Sequence, residues 1–236
     1  MNIVRYTIAL HDPLYYAREG LDGAFTPPCI HATALNCAVS DALCETPDQQ
    51  PFVQIGADEG KDAPRYKDSR ISRRFYLTPA APELFGYWTE MAKGENDGFV
   101  SFVRAGEILK ATQLNFIPPE TQFTGFAIIE EDLALPRMIR LGSFRGIAEL
   151  KTEPCEQPTR SDKPQLVSHY VDPLVSRIQR GVMMNLFPYP IVGNAVCHNV
   201  VGVRHSYTKR RYRIAWPDDY PFLESQKLRN QGVSIV

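Results

Sequence analysis

Residues 3–10 alternate between apolar and polar, with Val4, Tyr6, Ile8 and Leu10 falling on one face and Arg5 and Thr7 on the other. A period of two is that of a half-buried strand, so the chain is predicted to open with one. A loop with Pro13, Gly20, Gly23 and Pro27-Pro28 follows, and then the period changes. From Ile30 to Leu43 apolar residues recur at three- and four-residue steps (Ile30, Ala34, Leu35, Ala38, Val39, Ala42, Leu43), which predicts the principal helix. Between Glu45 and Ser72 the chain is polar and charged and is interrupted by Pro47, Pro51 and Pro64. This stretch is expected to be a long excursion with too little apolar surface to hold itself down.

Strand patterns return at 73–78, 99–104, 121–129, 138–141 and 147–151, with turn residues such as Gly94, Gly106, Pro118-Pro119 and Pro136 between several of them. Residues 153–165, rich in Pro, Thr and Ser, read as a second polar connector. Beyond it, 199–203 and 211–216 flank the polar segment Ser206–Arg210 as the two arms of a hairpin. Many strands and one main helix after the first of them predict an α+β fold. The arrangement expected is a ferredoxin-like, RNA-recognition-motif-like antiparallel sheet with an added β-hairpin or second small sheet. The whole of 1–236 is taken as a single domain, with the excursion at about 45–72 and the connector at about 153–165.

Composition changes this picture little. The chain of 236 residues is 44% apolar, enough for a real core, and its 19 prolines exceed the usual share of about 5% and fit a loop-rich protein that wraps partners. The 26 basic and 27 acidic residues leave a formal charge of −1, so any case for a nucleic-acid partner rests on where the charges sit. No run approaches the ~18 apolar residues of a membrane span, and the first ten residues lack the apolar core of a signal peptide. Cys29, Cys37, Cys44, Cys155 and Cys197 are odd in number, and none stand at zinc-knuckle or redox-pair spacing. They read as reduced thiols of a cytoplasmic protein, with Cys29, Cys37 and Cys44 as small buried side chains in or beside the helix.

No phosphate-binding glycine loop, zinc-protease helix or nucleophile elbow is present, and no catalytic residue, metal or cofactor is assigned. His11, at the end of the first strand, and His31, at the start of the helix, are the one constellation with possible chemistry. Together with Tyr15 or Tyr16 they are the residue types needed for metal-free acid/base cleavage of RNA, although two such histidines more often have structural or substrate-contacting roles. Basic residues gather near aromatics in three places: Arg65, Lys67, Arg70, Arg73 and Arg74 with Tyr66, Phe75 and Tyr76; Arg137, Arg140 and Arg145 around Leu141-Gly142-Ser143-Phe144; and Lys209, Arg210, Arg211 and Arg213 with Tyr207 and Tyr212. One such cluster is ordinarily a solvated face. Three of them in a near-neutral chain suit a partner that offers phosphates and splayed bases together.

Several segments in fixed order resemble one family. They are Tyr6-x-Ile8-x-Leu10-His11-Asp12-Pro13-Leu14-Tyr15-Tyr16-Ala17-Arg18, then Ile30-His31 and Ala34-Leu35, Leu77-Thr78-Pro79-Ala80, and Pro136-Arg137-x-Ile139-Arg140-Leu141-Gly142. The family is the Cas-five-type (Csc-one) subunit of type I-D CRISPR interference complexes, and the resemblance spans roughly the first two thirds of the chain. Ser143 stands where the family's pattern often has lysine, and the loop after Arg18 differs as well.

The resemblance implies a non-enzymatic subunit of an antiviral ribonucleoprotein that grips the 5′ handle of the guide RNA. Its implied partners are the backbone Cas-seven-type subunits, which it would cap, and the large Cas-ten-type subunit, with target DNA nearby and no membrane. The residues expected to meet RNA are His11, Tyr15, Arg18, His31, Arg137, Arg140, Arg145, Lys209, Arg210 and Arg211. Two alternatives stand beside this: a metal-independent endoribonuclease that processes repeat RNA, and a purely structural adaptor.

Overall fold

The computed structural model describes residues 2–16, 24–44, 74–84, 86–92, 112–161, 163–186, 190–217 and 234–235. Its strands in chain order are β1 (Asn2–Leu10), β2 (Ala24–Phe25), β3 (Phe75–Leu77), β4 (Ala81–Pro82), β5 (Trp88–Ala92), β6 (Thr112–Phe116), β7 (Gln122–Ile129) and β8 (Met138–Leu141). They continue as β9 (Gly146–Ser161), β10 (Gln165–Leu166), β11 (Ile178–Met184), β12 (Ile191–Cys197), β13 (Val200–His205), β14 (Arg211–Ala215) and β15 (Ser234–Ile235), and the helix α1 (Ala32–Ala42) lies between β2 and β3.

Mostly antiparallel sheet with one helix makes the described chain α+β, as the periodicity predicts. The main sheet runs β14-β13-β9-β1-β7-β3, with β8 and β15 also pairing β9 and β4 also pairing β7; two three-stranded sheets, β10-β12-β11 and β2-β6-β5, flank it. No helix separates β7 from β9. That stretch holds the short strand β8, which turns directly back onto β9.

The centre of the sheet follows from the alternation in β1. Val4, Tyr6, Ile8 and Leu10 are all buried and meet Leu35 and Val39 of α1, Phe123 and Ala127 of β7, and Ile139 and Leu141 of β8 in one cluster. Burying a side chain of this size contributes roughly 1.5–3 kcal/mol, so this stripe is the main reason that β1 sits in the middle. The fully buried Tyr6 lies opposite Gly125 in the β1–β7 register, and its hydroxyl donates to the Thr78 carbonyl oxygen at 2.6 Å. Glycine is required there, because a Cβ at 125 would stand 2.3 Å from the Tyr6 hydroxyl oxygen. The opposite face packs Ile3, Phe126 and Ile128 against Val201, Val203, Ile214 and Trp216 of the C-terminal hairpin.

Helix α1 begins at His31, whose extended backbone makes it the N-cap and whose Nδ1 accepts from the Thr33 N–H at 3.1 Å. This satisfies one of the donors that a helix start leaves without a partner. It ends where the Leu43 N–H returns to Val39 and Cys44 turns left-handed (φ 52°). The buried Asn36 side chain donates to the Leu77 carbonyl and accepts from the Leu77 N–H, both at 2.9 Å, so the helix covers the edge of β3 as a paired strand would. At the other edge of the sheet, His169 Nε2 accepts from the Ala215 N–H at 3.0 Å. Burial pushes the pKa of this ring down to about 4, which keeps Nε2 free to accept.

Several expectations change. Strand β9 runs through Ser161, so most of the segment expected to be a connector is sheet: its polar side chains can face water on both sides because the backbone is held by β13 along Cys155–Ser161. Strands β5, β6, β11 and β12 were not expected. Cys29 is buried, with its thiol pushed up to about 12, and Cys37 is partly buried, whereas Cys44 lies past the helix end and is exposed. The expected strand at 99–104, the excursion at 45–72, Arg18, and Arg65, Tyr66, Lys67, Arg70 and Arg73 of the first basic cluster lie outside the described residues. Among the described residues no helix is long and apolar enough to cross a membrane, and no three His, Cys, Asp or Glu side chains gather where they could hold a metal ion.

Candidate nucleic-acid interface

The segment that follows β1 runs beside the β8–β9 turn and is tied to it by backbone. The N–H groups of His11 and Asp12 donate to the Ile147 carbonyl at 2.9 and 3.3 Å, and the Asp12 carboxylate accepts the Ile147 N–H at 2.8 Å. Leu14 and Ile117 exchange both of their backbone hydrogen bonds, at 2.8 and 2.9 Å, and so set Tyr15 next to Phe116. Finally the Ser143 N–H donates to the Tyr15 carbonyl at 2.8 Å. That approach is possible only at glycine. Gly142 has φ +76°, and a Cβ there would stand 2.6 Å from the Tyr15 carbonyl oxygen.

Held this way, three aromatic rings pack together and a fourth, Trp88, lines the same cleft. Tyr15 stacks on Phe144 (centroids 5.4 Å apart, planes 22°) and tilts against Phe116 (5.1 Å), and Trp88 faces Phe116 across the β5–β6 ladder. Tyr15 and Phe116 are buried and serve as the floor; Trp88 and Phe144 are about half exposed, at 49% and 54%. Trp88 and Phe144 thus present flat apolar faces to the cleft. Arg140 and Arg145 complete the rim of a cleft of about 350 Å³ lined also by Asp12 and Pro13. Arg140 Nη1 donates to the Arg145 carbonyl at 3.1 Å, and Arg145, itself left-handed (φ 54°), pairs with Asp41 of the helix at 3.0 Å. These guanidiniums are positioned by the turn yet remain exposed, so they keep donors for a ligand.

The structure therefore brings together Tyr15, Arg140 and Arg145 among the expected residues. His11 is exposed at the mouth of the same turn. Arg137, just before β8, is 81% exposed and in an ion pair with Glu149 at 3.0 Å. His31, expected at the start of the helix as an RNA contact, is its N-cap, buried at 6%, with Nδ1 accepting from Thr33. Its ring is a structural acceptor here and not an exposed contact. Trp88, Phe116 and Phe144 are the members that sequence reasoning left unassigned. Phe144 stood within the turn already singled out, while nothing in the local pattern at 88 or 116 marks a shared cleft.

The hairpin tip also sorts itself. Tyr212 packs on Phe126 (5.1 Å) and Trp216 is buried, while Arg211 and Arg213 face outward, as the alternation predicts. Lys209 lies 3.7 Å from Glu156, and the Arg210 guanidinium sits over the Tyr212 ring at 5.4 Å. Only Arg211 of the three expected tip contacts is thus outward-facing and without a side-chain partner among the described residues.

Comparison with known proteins gives three results. The family model described as type I-D CRISPR-associated protein Cas5/Csc1 matches residues 1–212, well beyond the first two thirds that the sequence motifs mark. No curated protein matches the chain. Among solved structures, a chain in the cryo-EM structure of the type III-B Cmr-beta complex bound to cognate target RNA and AMPPnP is 8% identical, with 97% of this chain and 92% of that one covered. Its TM-score is 0.38, too low for the likeness to bear on fold or function.

Proposed function

Because the chain belongs to the type I-D CRISPR-associated Cas5/Csc1 family, we propose that it is a non-catalytic subunit of the effector complex that holds the 5′ handle of the guide RNA. The observation that carries this reading is the cleft in which the exposed rings of Trp88 and Phe144 lie beside the guanidiniums of Arg140 and Arg145. A single-stranded handle presents unstacked bases and a phosphate chain. Its holder needs flat π-faces for the one and forked cations for the other, in a place where backbone can approach closely. Tyr15 acts from beneath by fixing the Phe144 ring, and Gly142 by letting the turn close.

The order β9-β1-β7-β3, with α1 between β1 and β3, supports reading the core as ferredoxin-like. In that reading the second crossover helix is replaced by the β8 turn, and the turn is what carries the cleft. Capping of Cas-seven-type backbone subunits and contact with a Cas-ten-type large subunit, with target DNA nearby, belong to the same proposal and follow from the family. The buried, capping position of His31 favours binding over the endoribonuclease alternative.

One experiment separates these readings. The full chain is incubated with repeat RNA in excess chelator, beside His31→Ala. Binding without site-specific cutting is expected from the wild type, and H31A should keep that binding while losing roughly 1–2 kcal/mol of stability, the usual cost of a lost cap together with some packing. Site-specific cutting that H31A abolishes would overturn the non-catalytic reading. No association with RNA, alone or in the complex, would leave a structural adaptor.

A further inference from the structure

The cleft above lies at one end of β9; a second, larger groove lies at the other. It has a volume of about 510 Å³ and is lined by Gln157 and Thr159 of β9, Arg204 of β13, Arg211 and Arg213 of β14, and Ser168. Gly146 belongs to the first cleft and Thr159 to the second. Thirteen residues of strand separate them, roughly 40 Å at ~3.3 Å per residue.

The registers place the groove's charges on one face. Arg204 lies directly opposite Arg211, and Gly202 directly opposite Arg213; on the other side of β13, Gly202 meets Thr159 and Arg204 meets Glu156. Two arginines facing each other across a ladder destabilise it. Arg204 Nε donates to the Lys209 carbonyl at 3.3 Å, and the only neighbouring acid in register, Glu156, has its carboxylate on Lys209 instead. Among the described residues none of the three guanidiniums has a carboxylate partner. Gly202 contributes no side chain, so the floor between Arg213 and Thr159 is open.

From this arrangement we infer that the β9–β13–β14 face is a second nucleic-acid site that tracks the phosphodiester backbone of a single strand and does not read its bases. Guanidinium forks match phosphate oxygens, and Arg211 and Arg213, two residues apart on one strand, stand a step comparable to that between successive phosphates. The hydroxyls of Thr159 and Ser168 add neutral donors to the same wall. The one aromatic ring in the groove's lining, Tyr212, is half-buried: it packs on Phe126 and lies beneath the Arg210 guanidinium. Base stacking is therefore not offered here, in contrast to the first cleft, and contacts to phosphate alone carry no sequence information. An acidic protein surface fits less well, because the groove offers no exposed apolar side chain to anchor one: Val203 is buried and Tyr212 half-buried. The inference does not depend on the handle reading, because the two clefts share no lining residue.

The test uses the full chain and fluorescence anisotropy with single-stranded RNA and DNA oligonucleotides of two unrelated sequences, across a salt series. Arg204→Gln/Arg211→Gln/Arg213→Gln should weaken binding to all four probes alike and flatten the log–log salt slope by up to about 2, at ~0.7 per single-strand phosphate contact. Its melting temperature should match or exceed the wild type, since a like-charge pair is removed. Gly202→Val keeps every charge and fits the backbone, because a Cβ there has no neighbour closer than the Thr159 carbonyl oxygen at 3.7 Å. It fills the floor and should also lower affinity for all four probes. Removing the aromatics of the first cleft, by contrast, should leave the salt slope alone. Wild-type slope and affinity in both variants, or a loss confined to one sequence or to one sugar type, would overturn the inference.

Discussion

Replacing Phe144 by alanine is expected to weaken guide retention by about 1–3 kcal/mol, with Trp88→Ala similar and the pair more damaging than either, because each ring removes one stacking platform. In equilibrium terms that is from about fivefold to somewhat over a hundredfold for each substitution. The effect should reside in affinity, not in folding. Phe144 is half exposed at the tip of the β8–β9 turn, and its loss costs the remaining structure chiefly its stack on Tyr15, a contribution of roughly 0.5–1.5 kcal/mol. Phe144→Leu keeps apolar bulk but no π-face, and should fall near alanine in retention while melting near the wild type. Neither aromatic substitution removes a cation, so the salt dependence should not change; Arg140→Gln or Arg145→Gln should reduce the slope by up to about 0.7 each. An unchanged affinity in W88A/F144A would show that the rings are covered by protein and not by bases.

The largest effect on the fold itself is expected from Gly125→Ala. Tyr6 cannot retreat from a Cβ that would lie 2.5 Å from its Cζ, because the ring is fully buried and its hydroxyl is bonded to Thr78. Overpacking of this sort costs about 1–3 kcal/mol, and breaking the hydroxyl bond to escape it leaves a buried polar pair unmade at a further ~1–3 kcal/mol. A loss of about 2–6 kcal/mol is a large part of the 5–15 kcal/mol that holds a typical domain together. Chemical denaturation should also show strong coupling: Tyr6→Leu is damaging alone but should cost much less in the G125A background, because the two sites share one volume. Additive losses would mean that the β1–β7 pairing relaxes around the clash.

Much of this fold was legible in the sequence, and the reasons differ element by element. Strand β1 declared itself because Val4, Tyr6, Ile8 and Leu10 are core while Arg5 and Thr7 between them are not; α1 did so because its apolar steps match its turn, with a polar residue at its start. The hairpin β13–β14 was readable from Ser206–Arg210 between two alternating arms. By contrast, β12 reads Ile-Val-Gly-Asn-Ala-Val-Cys and is buried on both faces, so no alternation marks it. The second half of β9 hides for the opposite reason. Pro154 and Pro158 argue against a strand; Pro154 is accommodated opposite Val4 at the end of the β1 pairing, and Pro158 at the irregular register with β13 between Gly202 and Arg204. Of the cleft, the arginines and Tyr15 could be picked out as types near a glycine turn. Trp88 and Phe116 could not, since their meeting with Phe144 depends on the β5–β6 pairing and the Leu14–Ile117 bridge, contacts between segments far apart in the chain.

If bases of the guide handle lie on Trp88 and Phe144, photocrosslinking in the assembled complex should show it. Complexes purified with their guide are irradiated, digested, and the crosslinked peptide–nucleotide pairs identified by mass spectrometry. Adducts are expected in peptides spanning residues 138–147 or 86–92, joined to nucleotides at the 5′ end of the guide and lost in W88A/F144A. Crosslinks from this chain only to the targeting region of the guide, or handle crosslinks that persist when both rings are gone, would contradict it.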